Sequence, residues 1–217
     1  AKLYSYWITS VYRESYGIFA SNGILFNHES SIRGETFVSR KIARAIAAIV
    51  NKKQKYLYLG NLNAKRDWGY APEYCEGMWR ILQHDTPEDF VLATGKTNTV
   101  RDFVAESFMN LGVNIEWHGE EENENGIIKS VDIEKFDSLL KSSNYANNFS
   151  SKNINLKEGD VIVEVSPGYY RPTEVELLIG DPKKAKEKLG WEPKTELNQL
   201  IEIMIKSDLD FALKKGF

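Results

Sequence analysis

The spacing of the glycines constrains this chain more than any other feature. Fifteen are spread over 217 residues, and none is three residues from another. A dinucleotide-binding turn needs closely spaced glycines between a strand and a helix, so that the backbone can approach a pyrophosphate at the helix N-terminus. These residues therefore contain neither that fingerprint nor a phosphate loop. The rest of the chain still reads as alternating helices and strands, so the expected class is α/β without the main dinucleotide pocket.

Leu3, Tyr6, Trp7 and Ser10-Val11 recur at helical spacing and predict a helix over 2–16, stopped by Gly17. Ile18 to Phe26 is apolar apart from Ser21-Asn22-Gly23, which fits a strand buried on both faces of a parallel sheet. Asn27 to Glu35 reads as a polar turn. A helix over 36–51 buries Val38, Ile42, Ile46 and Ile49-Val50 and carries Arg40, Lys41 and Arg44 on its polar side. Strands are expected at 56–59, 89–93, 113–117 and 160–165, and helices at 72–83 and 100–111. The acidic run Glu120 to Asn125 and the Asn/Ser-rich stretch 142–157 read as solvated loops of an insertion near 119–160. Asp181-Pro182 should open a helix that Gly190 ends, and Thr195 should cap a last helix whose buried face is Leu197, Leu200, Ile201 and Met204.

Composition excludes several functions. A net charge of −3 provides no basic field for bulk nucleic-acid binding. Cys75, the single cysteine, can form neither an internal disulfide nor a cysteine-based zinc site, and reads as a packed helix residue. His28, His84 and His118 lack metal-ligand spacing, so no metal is expected. No apolar run approaches the roughly 18–20 residues of a membrane span. A cytoplasmic location is the expectation.

Three motif groups carry the functional reading. Gly23-Ile24-Leu25-Phe26-Asn27-His28-Glu29-Ser30 is followed by Arg33-Gly34-Glu35-Thr36-Phe37-Val38 and Arg40-Lys41-Ile42. Leu59-Gly60-Asn61-Leu62, Lys65-Arg66-Asp67-Trp68-Gly69, Pro87-Glu88-Asp89-Phe90-Val91 and Ala93-Thr94-Gly95 come next, then Tyr170-Arg171-Pro172-Thr173-Glu174-Val175. Read on their own, His28 is a satisfied loop histidine, Lys41 a solvated helix lysine and Arg66-Asp67 a structural ion pair. Together the motifs closely resemble the GDP-mannose 4,6-dehydratase family of the extended short-chain dehydrogenases and reductases. The resemblance runs over nearly the whole chain except about 119–160.

The resemblance implies the C-terminal portion of an extended short-chain dehydrogenase Rossmann fold plus the smaller α/β substrate-binding domain. Residues 1–30 would be a remnant of the NADP-binding domain. Residues 31–217 would be mainly the nucleotide-sugar domain, with returning Rossmann elements near 56–95. The opening Ala1-Lys2 and its aromatic helix resemble the end of a Tyr-x-x-x-Lys signature. Lys2 would then be the catalytic and ribose-holding lysine, with the tyrosine three residues before Ala1. His28 and Arg33 match positions that contact NADP. Asn27, Lys41, Arg66, Arg171 and Glu174 match positions that hold the GDP-sugar, and arginine forks, a lysine and a carboxylate suit a diphosphate and a nucleoside.

The implied reaction converts GDP-mannose to GDP-4-keto-6-deoxymannose in a homo-oligomer, dimer or tetramer, of the full-length protein. The cofactor-binding front half would lie outside these residues, and the isolated chain would be inactive. Two positions depart from the family pattern. Ser31-Ile32 stands where Pro-Arg is common, removing one basic group from a loop that in the family reaches toward a neighbouring subunit's cofactor, and Tyr70 replaces a common histidine. The alternatives are a non-catalytic nucleotide-sugar-binding module, or a related sugar-nucleotide dehydratase or epimerase.

Overall fold

The structure, a computed structural model, describes residues 1–141, 156–170 and 175–215. In chain order its elements are α1 (Lys2–Tyr16), β1 (Gly23–Leu25), β2 (Asn27–Glu29), α2 (Val38–Val50), β3 (Leu57–Leu59), β4 (Lys65–Arg66), β5 (Trp68–Tyr70), α3 (Ala71–Leu82), β6 (Phe90–Leu92), β7 (Asn98–Thr99), α4 (Val100–Asn110), β8 (Val113–His118), β9 (Asn125–Val131), α5 (Ile133–Lys141), β10 (Val161–Val165), α6 (Lys183–Leu189) and α7 (Leu197–Lys215). The class is α/β, as expected. The chain divides into two units: Ala1–Glu29, Arg66–Thr97 and Leu178–Glu196 form the first; Ser30–Lys65, Asn98–Leu177 and Leu197–Phe217 form the second. The stretch 56–95 is shared, with β3 in the second unit and β5, α3 and β6 in the first.

In the first unit, Gly17 ends α1 in the left-handed conformation (φ 63°) that a Cβ would disfavour. Arg13, in the last turn, grips Asp89 through both carboxylate oxygens at 2.6 and 3.3 Å, and the Asn22 N–H adds a bond of 2.8 Å. Burial opposes ionisation of Asp89, but the Arg13 and Asn22 hydrogen bonds outweigh it and hold the carboxyl at about 2. This anchors the entry to β1, which pairs in parallel with β6, Ile24 opposite Val91. The parallel pairing agrees with the apolar run, but its burial does not. Ile24 is 45% exposed, because β1 has a single strand neighbour among the described residues.

Tyr74, Ile81, Phe90, Leu92, Ala185 and Trp191 form this unit's core. Trp191 donates its indole N–H to the Glu73 carbonyl at 2.7 Å, and no Cβ fits at Gly77 beneath it. Glu73 also takes the Thr195 hydroxyl (2.9 Å) and the Lys194 and Thr195 N–H groups (both 3.1 Å). Thr195 donates its hydroxyl to Glu73, and α7 begins two residues on, at Leu197. Asp181 accepts from the Lys183 N–H at 2.9 Å at the start of α6, which Gly190 closes at φ 60° as expected.

The second unit is a four-stranded sheet, β3-β10-β9-β8, with β10 parallel to β3 and antiparallel to β9. Helices α2, α4 and α7 pack on one another through Ile42, Ile46, Phe103, Phe108, Leu200, Ile201 and Met204, all buried. Between the two expected loops of the 119–160 stretch lie elements the sequence reading did not place. Strand β9 runs through it at the middle of the sheet, burying Ile128, and α5 follows. The acidic run is not wholly solvated either. Glu124 is buried and receives the Arg101 guanidinium in a two-pronged ion pair, Nη2 to Oε2 at 2.9 Å. Residues 142–155 of the Asn/Ser-rich stretch lie outside the described residues.

Arg40 on α2 meets Asp208 on α7 at 2.8 Å, with Asp208 only 2% exposed. The pair is half satisfied: Arg40 Nε and Nη1 and Asp208 Oδ2 meet no partner among the described residues. Burial pushes Asp208 up to about 6, although Arg40 and Arg44 pull the other way. The native state therefore holds this proton more tightly than the unfolded chain. Its contribution to stability is complete below the ordinary value of 3.8 and is lost as pH rises through about 6. Asp208→Asn should abolish this part of the pH slope, about 1–3 kcal/mol between roughly pH 4 and pH 7, in urea unfolding. An unchanged slope would contradict the assignment.

Candidate functional site

Four of the candidate residues lie in the first unit. Lys2 opens α1 and is exposed. Asn27 and His28 were read as part of a turn, but they lie on β2, in parallel register with Trp68 and Gly69 of β5. Arg66 ends β4, two residues before Trp68, and is half-buried. The pairing of β2 with β5 therefore brings Asn27, His28 and Arg66 onto neighbouring segments.

Asp67 explains why this arrangement holds. Its carboxylate is fully buried and accepts four hydrogen bonds: from the Thr94 N–H (2.8 Å) and hydroxyl (2.7 Å), the Gly95 N–H (3.0 Å) and the Gly180 N–H (3.3 Å). The sequence expectation was an ion pair with Arg66. What is found is a carboxylate satisfied by loop donors, which stabilise its charge inside the protein.

His28 is likewise no loop residue. Its Nδ1 lies 2.8 Å from the Phe26 carbonyl, and its ring stacks on Tyr74 at 5.3 Å between centroids. A carbonyl oxygen can only accept, so Nδ1 carries the hydrogen of this contact. Tyr74 is fully buried, and burial raises its phenol well above the ordinary value, with Asp67, Glu73 and Glu29 adding to the effect. Gly69 is glycine because a Cβ there would fall 2.6 Å from the Tyr74 hydroxyl oxygen. Cys75, one residue on, is exposed, not packed as expected, since it falls on the outer side of α3.

In the second unit the Arg33 guanidinium rests 3.7 Å over the Phe37 ring. Ile32 is 90% exposed. Lys41 is not a solvated helix lysine. It is half-buried in the first turns of α2, its ammonium 3.3 Å from the centroid of the Tyr169 ring, and burial lowers its pKa. Arg171 and Glu174 lie outside the described residues. No cluster of three or more His, Cys, Asp or Glu side chains suited to a metal occurs among the described residues, and no helix there is long and apolar enough to cross a membrane.

The sequence model of the GDP-mannose 4,6 dehydratase family matches residues 1–204. This chain belongs to the GDP-mannose 4,6-dehydratase family. Relatives of that name are 48% identical over 98% of the chain in Vibrio cholerae, 46% over all of it in Dictyostelium discoideum and 46% over 97% in Homo sapiens. The chain spans about half the length of these curated relatives: 52%, 53% and 49%.

Solved structures resemble it at lower identity. RMD from Pseudomonas aeruginosa, complexed with NADPH, superposes with a TM-score of 0.61 over 93% of this chain and 52% of that one, at 14% identity. The UDP-glucuronic acid 4-epimerase of Bacillus cereus, in complex with UDP-glucuronic acid and NAD, gives 0.61 over 100% and 52%, at 13% identity. The likeness is one of fold, the Rossmann-based α/β architecture of the extended short-chain dehydrogenases.

Sequence reasoning passed over Asp67 as an anchor and missed Tyr74 and Tyr169. For Asp67 the local sequence offers only a carboxylate between an arginine and a tryptophan. Its donors lie 27 and 113 residues away. Asp67→Asn turns an acceptor into an amide facing N–H donors. It should cost about 2–4 kcal/mol of stability in chemical denaturation. A loss below about 0.5 kcal/mol would show that the four bonds do not hold the segment.

Proposed function

We propose that the protein is a GDP-mannose 4,6-dehydratase, converting GDP-mannose to GDP-4-keto-6-deoxymannose, and that this chain supplies much of its nucleotide-sugar binding. The observation that carries this reading is the family match across residues 1–204. Within it, Asn27, Lys41, Arg66, Arg171 and Glu174 hold the GDP-sugar. Lys41 and the arginines meet the diphosphate, and Glu174 accepts from the nucleoside. The same reading assigns residues 1–30 to the cofactor-binding domain and most of 31–217 to the nucleotide-sugar domain.

NADP is the cofactor of this proposal. The donor set agrees with it: an exposed ammonium at Lys2, an imidazole at His28 whose Nδ1 is committed to a carbonyl, and a guanidinium at Arg33 stacked on Phe37. These groups suit ribose hydroxyls and phosphates. When bound, the cofactor supplies the hydride acceptor and donor of the reaction. Lys2 holds the ribose, His28 presents Nε2, and Arg33 offers charge.

A homo-oligomer fits the exposed apolar face of α1, where Leu3, Tyr4 and Trp7 are each at least 59% exposed. A cytoplasmic location fits the free, exposed Cys75.

Calorimetric titration with GDP tests the nucleotide site. Arg171→Ala should remove a charge-assisted contact and weaken binding about ten- to a hundredfold, roughly 1.5–3 kcal/mol. Lys96→Ala should leave binding unchanged, because Lys96 and its partner Glu196 are both exposed. Equal GDP affinity in wild type and Arg171→Ala would overturn the site.

A further inference from the structure

We propose that Tyr169 is a positioning residue for Lys41, holding its ammonium over the ring until a phosphate anion takes it, and that Gly60 exists to seat the turn presenting Tyr169. The proposal rests on the reading of Lys41 as a diphosphate-binding group. Lys41 is half-buried, yet no carboxylate among the described residues pairs with it. Its ammonium lies instead against the face of the Tyr169 ring. A ring face compensates a cation without a formal charge or a hydrogen-bond acceptor. An incoming anion then has no ion pair to break, and the three N–H donors of the ammonium stay available to its oxygens. A carboxylate in the same place would neutralise Lys41 and repel the anion.

The backbone explains how the ring arrives there. Strand β10 runs parallel to β3, Val165 opposite Leu59, and the Ser166 N–H continues the ladder to the Leu59 carbonyl at 2.8 Å. A turn follows at once, closed by the Tyr169 and Tyr170 N–H groups on the Ser166 carbonyl at 2.9 and 3.1 Å. The carbonyl of Tyr169 lies against Gly60. A Cβ at position 60 would fall 2.8 Å from the carbonyl carbon and closer still to its oxygen. The backbone φ of Gly60 is not positive, so space and not conformation demands glycine. Leu59-Gly60 is therefore the platform for the turn, and the turn both supplies the ring and leads into Arg171.

Two readouts test this, one of them independent of any ligand. In a proton–carbon correlation spectrum, the Lys41 ε-methylene should be shifted upfield by the Tyr169 ring current. Lys41→Arg should remove that signal and so assign it. Tyr169→Leu should return it to the ordinary lysine position, and Gly60→Ala should move it part of the way. Titration with GDP should carry the wild-type signal toward the ordinary position.

In the second readout, Tyr169→Leu should weaken GDP binding about three- to tenfold, and less than about twofold in a Lys41→Met background. A purely structural role would give the same loss in both backgrounds. A Lys41 signal at the ordinary position, indifferent to Tyr169→Leu, would overturn the proposal, as would equal losses in the binding cycle. Failure of wild type to bind GDP would instead sink the nucleotide reading, while the ligand-free spectra would still decide where the ring lies.

Discussion

The first unit depends on one buried carboxylate. Asp67 collects four donors from two remote segments, Thr94-Gly95 and Gly180, and so fixes the approach to β5. Strand β5 in turn aligns β2, which sets the places of Asn27 and His28. The energetic logic is that of a buried charge. Such a group is tolerable only when its oxygens are satisfied, so each loop that supplies a donor is held where the carboxylate needs it. Two residues on from Asp67, the Tyr74 ring leaves no room for a side chain at Gly69.

The second unit is held differently. Its helices pack by apolar contact, with one half-satisfied ion pair, Arg40 and Asp208, buried between α2 and α7. Pairs of this kind do little for net stability and more for which surfaces meet. The pair of Arg101 with Glu124 ties α4 to the residue preceding β9. Between these constraints α2 presents Lys41 half-buried and without a carboxylate partner among the described residues. That is a costly state for a lysine, and an anionic ligand would repay it.

Much of the fold was legible because it rests on local rules. Helix α1 with its Gly17 stop, the apolar stripe of α2, and Gly190 after α6 all follow from periodicity and capping. The failures share a cause, which is partners distant in sequence. Strand β9 was hidden behind an acidic run whose Glu124 is buried only because Arg101, 23 residues earlier, meets it. The Thr195 hydroxyl is held by Glu73, 122 residues earlier, a partner its local sequence does not reveal. Lys41 looks solvated until Tyr169 is placed over it. The candidate site residues come from the family resemblance alone, and the contacts that hold His28 and Lys41, to Tyr74 and Tyr169, join residues far apart in sequence.

The central claim is that these residues recognise a guanosine diphosphate sugar and not merely any nucleotide sugar. Competitive calorimetry of the protein with GDP-mannose and UDP-glucose tests it most directly. The account predicts that GDP-mannose binds and that UDP-glucose neither binds comparably nor displaces it. Equal affinity for the two, or a preference for the uridine nucleotide, would contradict it.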